Sequence, residues 1–190
     1  MGRKVGKLIY GVGVNDIEGS HKWKSRSVWR EMLRRCYDPK FHVDYPTYLD
    51  CAVCEEWQIF SNFKLWFDSN YIDGYQLDKD LFNPESKIYS PDTCFFVPSA
   101  LNNLFVNCAK SGEYPKGVSP SPSKRGRFRA QLSVNGKTVT VGTYDTVLEA
   151  SANYKQAKHQ YIRQEIQRYR LEGIVSPILL DAIESNLGAT

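Results

Sequence analysis

Apolar positions along this 190-residue chain repeat with a helical period in its first half and with strict alternation in its second. Between Ser27 and Tyr37, Trp29, Leu33 and Cys36 stand at i, i+4 and i+7, one stripe of a helix that Asp38-Pro39 ends. Arg30, Arg34 and Arg35 take its other faces, where phosphate contact and plain solvation are both open. From Glu55 to Asn70, Trp57, Phe60, Phe63 and Phe67 recur every three or four residues, with Ile59 and Trp66 beside them. That spacing predicts an amphipathic helix set deep in a core rather than a base-stacking surface. Short strands are predicted at 48–53, at Tyr75–Asp78 after the Asp73-Gly74 turn, and at Cys94–Pro98. Residues 83–93 between them read as a turn-rich link. A helix then opens at Ser99, a fitting N-cap residue.

After residue 116 the period becomes two. Phe128, Ala130, Leu132 and Val134 face one way, and Arg127, Arg129, Gln131 and Ser133 the other. Asn135-Gly136 is a strong hairpin signal. Lys137–Tyr144 continues the alternation, with Val139 and Val141 inward and Thr138 and Thr140 outward. Asp145 or Thr146 caps a helix whose stripe is Ala150, Tyr154, Ala157 and Tyr161, and its alanines let it lie close on the sheet. The last segment, Ser176–Leu187, predicts a short apolar-faced helix that docks on the chain or joins two copies in a homodimer. The class is α+β: a small, largely helical unit, then a three-stranded antiparallel sheet braced by one helix. The organisation predicted is a basic arm at 1–26, a first domain at 27–108, a linker at 109–115, a second domain at 116–170 and a tail at 171–190.

Charge sharpens this division. Residues 1–40 carry ten Lys/Arg against four Asp/Glu, residues 41–100 three against ten, and residues 101–137 seven against one. The net charge of +4 hides that alternation, and local field governs polyanion binding more than the total does. No run approaches the roughly 18 apolar residues of a membrane helix, and no apolar stretch near the start fits a signal peptide. A cytoplasmic protein is expected, or one that works wherever its nucleic acid is. Five cysteines (Cys36, Cys51, Cys54, Cys94 and Cys108) are an odd number without an export signal, which argues against a disulfide framework.

The polar strand face suggests chemistry. Arg127, Arg129 and Gln131 project at two-residue steps, about 6.5–7 Å apart, from a ribbon of the width that enters the B-DNA major groove. Arginine chelates guanine, glutamine reads adenine, and threonine meets a thymine methyl. Lys124 and Arg125 in the preceding turn, with Lys116 and Lys137 flanking, suit phosphate. The plain alternative is a solvated Arg-rich face, which leaves its near-absence of acid unexplained.

The segment YPKGVSPSPSKRGRFRAQLSVNGKTVTVGTYDTVLEASANYKQA resembles the AP2 DNA-binding domain over about 50 residues. KGV opens the first strand, GRFRAQ forms the second, NGK the hairpin, VGTYDT leads to the helix, and EASANYKQA lies in it. The resemblance implies that the sheet enters the major groove, with Arg125, Arg127, Arg129, Gln131 and Thr140 as readers and double-stranded DNA as partner. The first strand departs from that pattern, carrying Ser119, Pro120, Ser121 and Pro122 where the family carries arginines.

Residues 27–105 resemble a group of phage HNH-endonuclease-like proteins, many with an AP2-type tail. The resemblance rests on SVWREMLRRCYDP, Tyr45 and Tyr48, VCEEWQIFSNF, YQLDKD and YSPDTCFFVPSALNNLF in that order. It implies a ββα-metal unit and a homing-type endonuclease that nicks or cuts DNA with Mg²⁺ or Mn²⁺, at work in the host cytoplasm. Asp78, Lys79 and Asn103 would be the catalytic set, with Asp78 and Asp80 holding the metal. Lys79 stands where the general-base histidine belongs, and an ammonium with a pKa of about 10.4 is a poor base at neutral pH. Thr93 takes the middle Asn position, and His21, His42 and His159 lie outside the motif. The alternatives are turn chemistry for Asp78 and Asp80, an inactive shell that acts as a DNA-binding regulator, and a phage protein whose acidic middle docks on a basic host enzyme. Cys51-x-x-Cys54 would be half a zinc site, completed by Cys36, Cys94 or His42. With no second CxxC, buried thiols are the expected reading and zinc is not.

Overall fold

The chain is seen in a computed structural model that describes residues 8–105, 113–134 and 136–188. It is an α+β protein of two compact units, Met1–Ser99 and Ala100–Thr190. The division lies ahead of the linker expected at 109–115, where residues 109–112, like Cys108, fall outside the described residues.

In the first unit, α1 (Lys24–Tyr37) buries Trp29, Met32, Leu33 and Cys36, the predicted stripe with Met32 added. The Trp29 indole donates to the Trp57 carbonyl at 2.6 Å, which ties α1 to the next aromatic segment. Asp38 ends α1 and caps α2 (Pro39–Asp44), its carboxylate accepting from the Lys40 N–H at 3.0 Å. After β1 (Ala52–Val53), Glu56–Gln58 forms a 3-10 turn, Ile59 is extended, and α3 (Phe60–Asn70) follows. The single helix expected over 55–70 is thus broken at Ile59. Val14 runs alongside it, donating to the Gln58 carbonyl at 2.8 Å and accepting from Phe60 N–H at 2.9 Å. The break keeps the aromatic stripe intact, since Trp57, Phe60 and Phe63 are fully buried and Phe67 nearly so.

That pairing also corrects the loose arm expected at 1–26. Ile9, Tyr10, Val12 and Ile17 pack on the aromatic core. The Asp16 carboxylate accepts from Ser61 N–H at 2.9 Å, supplying the start of α3 with a cap that Ile59 has no side-chain oxygen to provide. Residues 1–7 lie outside the described residues. Further on, β2 (Tyr75–Asp78) pairs antiparallel with β4 (Phe95–Pro98), while β3 (Ile88–Tyr89) pairs parallel with β1. The link expected at 83–93 therefore contains a strand. Then comes α4 (Ser99–Phe105). Ser99 lies inside this helix and donates its hydroxyl to the Gly74 carbonyl at 2.8 Å, so it is not the N-cap expected.

The second unit holds β5 (Val118–Pro120), β6 (Phe128–Val134) and β7 (Lys137–Tyr144) in that spatial order, all antiparallel. Asn135 of the hairpin lies outside the described residues; Gly136 takes φ +76, the left-handed turn conformation. The 26-residue α5 (Val147–Glu172) starts on a complete capping box, Thr146 with Glu149, and packs on the sheet. Ala130, Leu132, Ala150 and Tyr154 are buried between them, as the alternation predicted. Gly117 lies against the Tyr154 ring: a Cβ there would stand 2.2 Å from it, and φ is +77. A glycine before Val118 is what lets β5 reach the sheet.

Val139, expected inward, is 49% exposed, and strict alternation fails further along the same strand. The register shifts between Ala130, opposite Gly142, and Gln131, opposite Thr140, so Val141 is an unopposed bulge residue. The shift keeps Thr138 and Thr140 on the outer face and adds Thr143 to it, while Tyr144 turns inward to join the core. Without the bulge, Thr143 would lie against the helix. Helix α5 runs on past the sheet with Ile162, Ile166 and Tyr169 buried, and α6 (Pro177–Gly188) packs along it. Arg170 is ion-paired with Asp181, and with Glu184 at 2.9 Å. The apolar-faced helix expected near the C-terminus is thus present and docks on α5, while α5 itself runs to Glu172, past the domain end expected at 170. No helix among the described residues is long and apolar enough to cross a membrane.

Candidate nucleic-acid interface

Because α5 covers the even-numbered side of β6, the odd-numbered side is left as a free polar face. Ser119, Arg129 and Thr143 form one row across the three strands, Gln131 and Thr140 the next, and Ser133 and Thr138 a third. Arg129 and Gln131 are half-buried; Thr138, Thr140 and Ser133 are exposed. Lys124, Arg125 and Lys137 at the ends of the sheet are exposed as well. From Tyr114 to Tyr144 the chain holds six Lys/Arg and no Asp or Glu. The face therefore presents donors and positive charge without an acid of its own.

The two central arginines differ. Arg127 Nε lies 2.7 Å from the Asp145 carboxylate, and Asp145 is largely exposed. The Nε–H is not aimed at that oxygen, so the contact is an ion pair without a hydrogen bond. Exposed pairs of this kind are worth about 0–1 kcal/mol and open readily to a stronger anion. Arg129 pairs with no carboxylate among the described residues, and its Nε is buried without a hydrogen-bond partner. Leaving a donor in that state costs about 1–3 kcal/mol.

The other candidate centre is closed. The Asp78 carboxylate accepts the N–H groups of Asp80 and Leu81, both at 2.8 Å, which is the turn chemistry weighed against a catalytic role. Burial raises its pKa, offset by those two N–H groups. Lys79 is only 2% exposed. Its ammonium is ion-paired with Asp80, donates to the Ser86 carbonyl at 3.0 Å and sits over the Tyr89 ring. Burial pushes Lys79 down, but the Asp80 carboxylate, with Cys51 and Tyr48, holds it above the usual lysine value. It is neither a base nor within reach of a phosphate. Thr93 is locked in its turn, accepting from Ser90 N–H at 3.0 Å and donating to the Ile88 carbonyl at 2.6 Å. Asn103 is exposed on α4 and belongs to the second unit, whereas Asp78, Lys79 and Asp80 belong to the first.

These residues do not fit a divalent cation. One Asp78 oxygen already serves two amides, and the position beside Asp80 is filled by an ammonium. Burial drives the Cys36 and Cys94 thiols up to about 12 and raises Cys51 and Cys54 as well. His42 spends its Nε2 on the Arg35 carbonyl at 2.8 Å. Among the described residues, no three His, Cys, Asp or Glu side chains gather to hold a metal ion.

Comparison with protein families, curated proteins and solved structures finds no match to this chain. The AP2 and HNH resemblances rest on the quoted residues alone. Sequence reasoning missed Ser119 and Thr143 on the face and Asp145 at its edge. Gly142 inside an otherwise β-branched strand was the available sign of the bulge that turns Thr143 outward.

Proposed function

We propose that this chain binds double-stranded DNA through the free face of the β5–β6–β7 sheet and does not cut it. Arg129 and Gln131, with Thr140 and Thr143 beside them, meet base edges. Lys124, Arg125 and Lys137 hold phosphates, and Arg127 joins them when it exchanges Asp145 for the backbone. The observation that carries this reading is Arg129: a central, half-buried cation with an unsatisfied Nε, on a face without carboxylates, opposite a helix that fixes its direction. The protein acts where its DNA is, in the cytoplasm, of a host if it is phage-encoded. The first unit serves as a folded, non-catalytic shell, since its Asp78–Asp80 corner supplies neither base nor metal ligands.

The test is a gel shift in a salt series, run beside a supercoiled-plasmid assay. With five to seven phosphate contacts the log–log salt slope is about −4 to −6. A missing or salt-independent shift removes the DNA reading and leaves docking on a host protein as the better account. Nicking of plasmid in Mg²⁺ or Mn²⁺ removes the non-cutting half.

A further inference from the structure

Helix α5 carries a second cationic surface on the side away from the sheet. Ala150, Tyr154 and Tyr161 pack on the strand core, and Ala157 continues the same stripe by its spacing. At 100° per residue, Lys155, His159 and Arg163 lie roughly opposite that stripe, at i, i+4 and i+8, whereas Lys158 borders the stripe, where the charge of Lys116 reaches it. Lys155 and Arg163 are exposed; Lys158 and His159 are half-buried. The row is about 12 Å long, enough to follow several phosphates of one DNA strand at about 3.4 Å each along the axis.

The same helix shows how it treats a charge that needs balancing. Near its end Arg168 is held by Glu165 at 2.6 Å and Glu172 at 2.7 Å. Between Glu149 and Glu165 there is no acid at all. Lys155, Lys158 and Arg163 have no carboxylate at ion-pair distance among the described residues. Burial and the charges of Arg163, Lys158 and Lys155 hold the His159 imidazole below the usual histidine range. Lys155 and Lys158, at i and i+3, are a like-charge pair that costs a helix a few tenths of a kcal/mol.

We propose that this outer face of α5 binds the phosphate backbone of a second DNA duplex, so that the second unit bridges two duplex segments. The inference rests on the reading that the sheet face holds the first duplex. A helix is about 10–12 Å across with its side chains, and the exposed Lys155 and Arg163 leave α5 on the side away from the sheet, beside the arc where Ile162 and Ile166 are buried. DNA is stiff over about 150 base pairs. One short duplex seated on the sheet does not wrap round to the far side of α5, so the second contact belongs to another segment.

Bead capture tests this with the full-length protein. A duplex of about 20 base pairs, far below the bending length of DNA, is fixed to beads, protein is added, and retention of a second, fluorescent duplex of the same length is read. Wild type retains it. The double variant Lys155→Gln/Arg163→Gln, which places good helix formers at exposed positions, keeps single-duplex affinity within about twofold and loses retention at least about tenfold, with each lost phosphate contact lowering the salt slope by about 0.9. Thermal melting of the variant confirms that it is folded. If wild type binds the bead duplex but retains no second one, or the variant bridges as well as wild type, the α5 surface is rejected and the sheet reading stands. If the folded variant loses the first duplex too, α5 and not the sheet is the primary contact. If wild type binds no duplex, both readings fall together.

Discussion

The sheet face of the second unit and the Asp78–Asp80 corner of the first both carry charged side chains, and they differ in what those groups already touch. At the corner, each charge has an internal partner: Asp78 takes two amides, and Lys79 has Asp80, a carbonyl and the Tyr89 ring. On the sheet, Arg129 has no carboxylate among the described residues and Arg127 has one exposed, poorly aligned one. A satisfied polar cluster stabilises a fold, whereas an unsatisfied cationic one is available to a ligand. The residue types alone do not separate these cases, and the partners do.

The largest expected effect lies in the closed corner. Lys79→Ala removes a fully packed side chain, strips the Ser86 carbonyl of its donor and leaves a cavity, for a loss of about 2–4 kcal/mol. We expect the Tm to fall by about 5–10 °C, while the fraction that remains folded binds DNA as wild type does. A variant of wild-type stability would mean the corner is looser than its contacts imply and would reopen a role for Lys79 in chemistry.

The open face gives the reverse split. Arg129→Ala should lower DNA affinity by about 10- to 100-fold, the range of a bidentate base contact, without loss of stability, since the unpartnered Nε–H that costs about 1–3 kcal/mol leaves with the side chain. Equal loss of affinity and stability would show that Arg129 supports the sheet and would take away the central observation of the proposal. A smaller effect of opposite sign belongs to Asp145→Asn. Freeing Arg127 and removing the acid at the rim should tighten DNA binding about threefold, with stability shifted by less than about 1 kcal/mol. Unchanged affinity in a salt-series gel shift would place Arg127 outside the interface.

Much of this contrast was legible in the sequence where period and composition agree. The alternation from Phe128 to Val134 fixes which residues α5 covers, because Ala130 and Ala150 leave room for close approach. The aromatic stripe of Trp57, Phe60, Phe63 and Phe67 marks the first core for the same reason. What the sequence concealed depends on distant partners. Ile59 breaks its helix because Val14, far away in the chain, pairs there, and Thr143 reaches the outer face because Val141 bulges. Lys79 is closed off because Ser86 and Tyr89 fold over it. Neither hydrophobic period nor motif spacing encodes such pairings, and the resemblance to nuclease motifs marked the corner without showing that its charges are satisfied.

The smallest effect is the most discriminating for that corner. The Asp78 pKa is raised in the folded protein, by burial more than its two N–H bonds lower it. The folded state therefore holds the Asp78 proton more tightly than the unfolded chain, whose value is about 3.9. Its contribution to stability is fully present below that value and is lost as pH rises through the folded pKa. Asp78→Asn keeps an oxygen to accept from Asp80 and Leu81 N–H but carries no charge. It should therefore be as stable as wild type at low pH and up to about 1 kcal/mol more stable above the folded pKa. Urea midpoints of both proteins, from below the unfolded value of about 3.9 up to about pH 7, give the comparison. If the Asp78→Asn variant is less stable across that range, the carboxylate is needed in its charged form and the corner holds a positive ligand after all. If the curves diverge as expected and DNA binding is unchanged, Asp78 is a turn residue, and the contrast with the open sheet face holds from both sides.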